Sequence, residues 1–218
     1  MKLTIWTILI ISSLHFSAYS QLFLGAKSGY NRYFDPGMNG GNIAFFTELP
    51  FGEYYGASVR AGLFYDFPMK IEEMATLYPL NSGYLPDGYV PVTSWYKNIG
   101  INIEYIHYFY NDAFETGLYS VIKNGISYSS ITRKTNGFDV SDYYQTDHVE
   151  NNKKFSLYFG VGLGFQFSLG PNSLLFTEIH GGFPFFSIRR NDASSSMVSG
   201  YPPVTVSGIV GFKRSVFN

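Results

Sequence analysis

The 218-residue chain contains no cysteine. That excludes disulfides, thiolate metal sites, a cysteine nucleophile and lipidation of a cysteine behind a leader segment. Charge is scarce as well: Asp, Glu, Lys and Arg make up 14% of the residues, against about 25% in an average soluble domain. The formal net charge is −1, so nothing electrostatic recommends nucleic acid as a partner. Beyond the first twenty residues no apolar run approaches the length of a spanning helix, which needs about 20 residues. What the chain has instead is 19 Tyr, 21 Phe and 23 Gly. Many β-formers with many glycines suit strands and tight turns, and the aromatic excess suits a membrane interface. The length is that of one domain with its own core.

The N-terminus reads as a secretory signal. Lys2 supplies a positive start and Leu3 to Ile11 an apolar run, with Ser12, Ser13 and His15 interrupting it. Ala18-Tyr19-Ser20 then places small residues around a cut before Gln21. Residues 1–20 are expected to be a cleaved signal peptide and residues 21–218 the mature domain. The competing reading, a membrane anchor, needs a longer unbroken run.

The mature chain alternates. From Phe155 to Leu169 every odd position is apolar, and the even positions are Ser156, Tyr158, Gly160, Gly162, Gly164, Gln166 and Ser168. Period two over such a length exceeds the five or six residues of an ordinary strand, and a membrane-spanning strand needs about 9 to 11. Tyr55 to Phe67, Lys97 to Phe109 and the stretch from Val204 repeat the pattern, and weaker strands run over about Leu22 to Tyr33, Asn42 to Leu49, Phe114 to Ile126 and Leu174 to Arg189. Hydropathy averaged over a window hides such strands, because lipid-facing and lumen-facing residues cancel.

Connections give a second signal. Pro50 to Glu53, Asn111 to Ala113 and Gly170 to Ser173 are short and rich in turn formers, whereas Asp35 to Gly41, Pro68 to Ser94, Ser127 to Lys154 and Arg190 to Pro203 are longer. Met69 to Tyr78 has room for a turn or two of helix inside its loop. The alternation predicts an all-β fold: an eight-stranded antiparallel transmembrane β-barrel with short periplasmic turns and long external loops.

With eight amphipathic strands behind a signal peptide, the chain resembles the small bacterial outer-membrane barrels typified by the OmpA membrane domain and OmpX, the "outer membrane protein beta-barrel domain" or porin family group. The resemblance implies the outer membrane of a Gram-negative bacterium, with membrane lipid and the outer-membrane insertion machinery as partners and a surface or periplasmic protein as a further one. Members usually end on an aromatic residue; here Phe217 is penultimate, before Asn218.

Projecting the strands from their short turns places Leu157, Phe159, Val161, Leu163, Phe165, Val59, Leu63, Ile99, Ile101 and Ile103 towards lipid. Arg60 and Glu104 fall at one height on neighbouring strands, pointing inward, and an ion pair is predicted. Glu48, Glu115, Glu178, His180, Lys27 and Lys213 are also assigned to the lumen. An eight-stranded barrel is just wide enough for its side chains to fill. Compensated charges forming a structural plug are therefore the plainer reading, and a lined channel the other.

Glu178-Ile179-His180 puts a carboxylate and an imidazole on one face, but no serine follows at the same spacing. A lumen histidine satisfied by Glu178 accounts for the pair without catalysis. Asp139, Asp142, Asp147, His148 and Glu150 cluster in one long loop without the spacing of a calcium loop. Gly160-x-Gly-x-Gly164 lies inside a strand and is glycine packing, not a phosphate loop. No enzyme, cofactor or metal site is expected. The expected role is structural, adhesive or surface interaction. A narrow porin-like channel, a lipid-modifying enzyme and a soluble periplasmic binding barrel remain as alternatives.

Overall fold

The computed structural model describes residues 21–34, 38–79, 88–110, 112–135, 143–145, 152–190 and 204–216. The expected signal peptide, the acidic loop cluster and the terminal Phe217-Asn218 lie outside them. Nine strands follow in chain order: β1 (Phe23–Tyr33), β2 (Asn39–Phe51), β3 (Ala57–Pro79), β4 (Gly88–Tyr108), β5 (Gly117–Thr135), β6 (Tyr143–Gln145), β7 (Asn152–Gly170), β8 (Ser173–Arg190) and β9 (Thr205–Ser215). All pairings are antiparallel.

Eight of the strands form a closed ring. Each pairs with the next in sequence, β5 with β7 across the short β6, and β9 returns to β1 from Phe23↔Ser215 to Tyr33↔Thr205. Closure removes both edges, so every strand has a partner on each side over the shared height, which hydrocarbon surroundings demand. At about 3.3 Å per residue, the 11 residues of β1 reach about 36 Å. Tilted by about 45°, that length crosses one apolar band.

The inside and outside follow from the sequence period. The inner face takes the odd positions of β1, β5 and β9 and the even positions of β2, β4, β7 and β8. Outside, Leu63, Ile101, Leu163 and Ile179 are each more than half exposed, as are Phe45 and Val210. Charged residues sit at the rims of this outer surface: Arg32, Lys97 and Lys153 at one end and Arg214 at the other. Such a continuous apolar belt on a monomer in water would be a large exposed patch.

Several strand ends differ from the sequence reading. β3 runs on to Pro79 and β4 starts at Gly88, so most of the expected loop from Pro68 to Ser94 is a paired hairpin and Met69 to Tyr78 is strand, not helix. A register shift between Asp66 and Met69 marks where the wall leaves the common barrel height. Beyond it the alternation need not be strongly apolar, so the sequence signal fades. In that extension Lys70 bonds the exposed Glu72, and the hydrogen bond lowers the Glu72 carboxyl below its ordinary range. β5 similarly continues to Thr135, and β6 pairs with the far end of β3.

The connections also depart from strict alternation in length. The turn over residues 109–116 is longer than the outer connection over residues 34–38. β3 begins at Ala57 because the chain turns over residues 53–55, where Tyr54 and Tyr55 take left-handed φ of 55° and 54°.

Candidate functional site: the barrel lumen

Side chains occupy the lumen at three levels. At the short-turn end the filling is apolar: Phe23, Phe46, Ile106, Leu174 and Phe176 are buried together with Tyr108, Tyr119 and Val121. The turn between β4 and β5 folds across this end. Its Ala113 is buried, Ala113 N donates to Tyr55 O at 3.2 Å, and the Phe114 ring lies 4.9 Å from Phe23 and 5.5 Å from Tyr55.

Above that floor lies a charge network built on Arg60. Its guanidinium donates through Nε to Glu48 Oε2 at 3.0 Å, and through Nη1 to Glu104 Oε2 at 3.0 Å and Glu178 Oε1 at 2.6 Å. The same cation lies 4.5 Å from the Phe46 ring centre and 4.8 Å from that of Phe176. The planar fork of arginine suits several carboxylates at once, and its faces accept aromatic rings.

Two lysines complete the balance. Lys27 Nζ donates to both Glu104 oxygens, at 2.8 and 2.9 Å, and to Glu178 Oε2 at 3.2 Å. Lys213 Nζ donates to Glu48 Oε1 at 2.6 Å and to the Tyr108 hydroxyl at 3.0 Å. Three carboxylates thus meet three cations, all six buried. Neutral donors occupy further lone pairs: Ser58 and Tyr108 on Glu48, Asn102 on Glu104, and Tyr119 on Glu178. A buried carboxylate carries a desolvation cost of several kcal/mol unless such partners surround it.

His180 stands at the edge of this network, its Nε2 2.9 Å from Glu178 Oε2. Across the β8–β9 pairing it faces Ser207, a neighbour that the sequence of β8 alone does not reveal. His180 Nδ1 has no hydrogen-bond partner among the described residues and lies near Gly162, 2.9 Å from where a side chain there would begin. No Ser–His hydrogen bond forms, and Glu178 is engaged by Arg60, Lys27 and Tyr119, so the three residues are not arranged as a nucleophilic triad.

Seven of the eight residues assigned to the lumen face it: Arg60, Glu104, Glu48, Glu178, His180, Lys27 and Lys213. Glu115 does not. β5 starts at Gly117, Glu115 is exposed in the preceding turn, and it is its backbone carbonyl that accepts Gln166 Nε2, at 2.6 Å. The error came from extending β5 into a turn whose Phe114 mimics a strand residue. Of the residues assigned to lipid, Val59, Leu63, Ile99, Ile101, Ile103, Val161 and Leu163 are exposed outside the ring. Leu157, Phe159 and Phe165 share that face but are half-covered by neighbours such as Phe183 and Phe167.

A third level, nearer the long connections, had no forecast. Asp66 accepts hydrogen bonds from Asn31 Nδ2 at 2.9 Å, the Tyr33 hydroxyl at 2.8 Å and Asn98 Nδ2 at 2.7 Å. Tyr33, Met38, Met69, Tyr96 and Ile131 cluster beside it. Lys123 also escaped the sequence reading, because β5 carries apolar residues on both faces. The register Glu104↔Lys123 was the signal that could have found it. Among the described residues no group of three or more His, Cys, Asp or Glu could hold a metal.

Two solved structures share this architecture. One is a major outer membrane protein from Thermus thermophilus, with TM-score 0.57 and 12% identity over 90% of this chain and 99% of that one. The other is Neisserial surface protein A, with TM-score 0.52 and 11% identity over 88% of this chain and 96% of that one. No protein-family model and no curated protein matches the sequence. The chain has the eight-stranded fold of the outer-membrane β-barrels.

Proposed function

We propose that the protein is an integral outer-membrane barrel, delivered by a cleaved segment over residues 1–20, with a structural, adhesive or surface-interaction role and a lumen that serves as its core. The observation that carries this reading is the closed network of Arg60, Lys27 and Lys213 with Glu48, Glu104 and Glu178. Conduction would require these buried, mutually compensated charges to separate, and the aromatic floor beneath them to move. The exposed apolar belt supports lipid as the outer solvent and weighs against a soluble periplasmic barrel. The extended parts of β3, β4, β5 and β7 supply surface for a partner outside the bilayer, where exposed elements most often carry function.

Glu178 is engaged by Arg60, Lys27 and Tyr119, which favours a structural role for His180 over that of a hydrolase base. Planar-bilayer recording from purified, refolded protein tests the plug. Absence of a stable unitary conductance is the expected result, and a reproducible unitary step would favour the narrow channel instead.

A further inference from the structure

Between the charge network and the Asp66 level the lumen is not filled. A cavity of about 90 Å³ remains there. A single buried water needs about 10–15 Å³, so the space takes several waters or a solute of similar bulk. Its lining is mixed: Lys123, Ser127 and Tyr158 on β5 and β7 are polar, as are Lys27 and Asp66 on other strands, and Ala44, Phe64 and Ile209 supply apolar surface.

Two hydroxyls of this lining are unused, and its ammonium is only loosely paired. Ser127 is 1% exposed, and among the described residues its Oγ has no hydrogen-bond partner; the buried Tyr158 hydroxyl has none among them either. Lys123 Nζ comes no nearer to a carboxylate than 3.9 Å from Glu104 Oε1, an oxygen that already accepts Lys27 and Asn102. The ammonium lies 5.5 Å from the centres of the Phe64 and Tyr158 rings, which flank it without providing an acceptor. Buried donors are nearly always satisfied, because leaving one without an acceptor forfeits its hydration with nothing in return. Asp66 lines the same chamber and takes its hydrogen bonds from Asn31, Tyr33 and Asn98, with no Lys123–Asp66 ion pair formed.

We propose that this chamber binds a small monocarboxylate, its two oxygens taking hydrogen bonds from Lys123, Ser127 and Tyr158 and its short hydrocarbon tail lying against Ala44 and Ile209. One cation and two hydroxyls match a single negative charge with two acceptor atoms. The apolar wall favours a tail over a bare halide or a second charged group, and the nearby Asp66 disfavours a dianion. The site depends on the lumen geometry alone, so it stands whether or not the barrel conducts.

Titration calorimetry on the refolded full-length mature barrel in detergent tests it, with sodium acetate, propionate and butyrate as probes and sodium chloride and glycerol as controls. Saturable one-to-one binding of at least one carboxylate is expected, weakened at least tenfold by Lys123→Met and severalfold by Tyr158→Phe. Lys70→Gln, far out on β3, should leave it unchanged. Tyr158→Phe removes one oxygen and keeps the ring, so it decides the matter if Lys123→Met does not fold. No saturable carboxylate binding by the folded protein overturns the proposal. So does binding that glycerol or chloride equals, or that survives Tyr158→Phe and any folded Lys123→Met undiminished; the chamber then holds water.

Discussion

Arg60 and Glu178, 118 positions apart in the chain, meet at 2.6 Å in the middle of the lumen. Nothing local joins them. β3 and β8 lie apart in the ring, and only closure brings their inner faces opposite one another. The interaction is therefore a product of the finished barrel, and it ties the energetics of the plug to the integrity of the wall.

Replacing Arg60 should show this coupling. Arg60→Met leaves Glu48, Glu104 and Glu178 short of one shared cation, and breaking a buried pair in this way costs about 3–5 kcal/mol. Adding Glu178→Gln to the same chain should restore part of the loss, because one unpaired carboxylate disappears. Urea unfolding of the refolded proteins measures both. Equal stability of the single and double variants would contradict the expected rescue.

Glycines on the two faces should respond differently to a methyl group. At Gly164 a Cβ would overlap the Tyr119 ring, whereas at Gly208 nothing lies within 4 Å. Gly164→Ala should destabilise by about 1–3 kcal/mol, the usual range for overpacking. Gly208→Ala should be neutral within about 0.5 kcal/mol. Thermal unfolding of both variants decides the comparison.

Legibility in the sequence followed the membrane. Within the apolar belt, β7 shows its faces directly in the alternation from Phe155 to Leu169, and the same logic put Arg60 beside Glu104 before any fold was known. Where the apolar outer belt stops, so does the signal: Lys70, Glu72 and Pro68 read as loop, although the strand continues through them. Inside the lumen, side-chain identity was visible but not partnership. Lys123 and Asp66 needed the register, and Ser207 needed the pairing of β8 with β9, information carried by residues far apart in sequence.

The short turns carry backbone strain. Tyr110 sits at φ 60° and is fully exposed. A left-handed conformation costs a non-glycine residue about 1–2 kcal/mol. Tyr110→Gly should relieve some of that and stabilise by up to about 1 kcal/mol, offset by the greater freedom of glycine in the unfolded chain. Chemical denaturation reads the sign; clear destabilisation would mean that the tyrosine ring makes a favourable contact with lipid headgroups.

On the lipid side, Leu163→Arg should destabilise the folded barrel by about 2–4 kcal/mol if the residue sits near mid-depth, as expected for a cation facing hydrocarbon. Lys97→Leu, at the rim, should change stability by less than about 1 kcal/mol. Folding titrations in lipid vesicles supply both values. Reversed magnitudes would place the apolar belt elsewhere.

The most direct measurement is depth-resolved fluorescence quenching by brominated lipids. Over residues 21–218 Trp95 is the sole tryptophan, so in that segment Leu163→Trp combined with Trp95→Phe gives a single reporter on the outer face of β7. After folding into vesicles, quenching should be strongest with bromines deep in the acyl chains. Lack of quenching at any depth, with the folded protein recovered in the aqueous phase, would show that water and not hydrocarbon surrounds the ring.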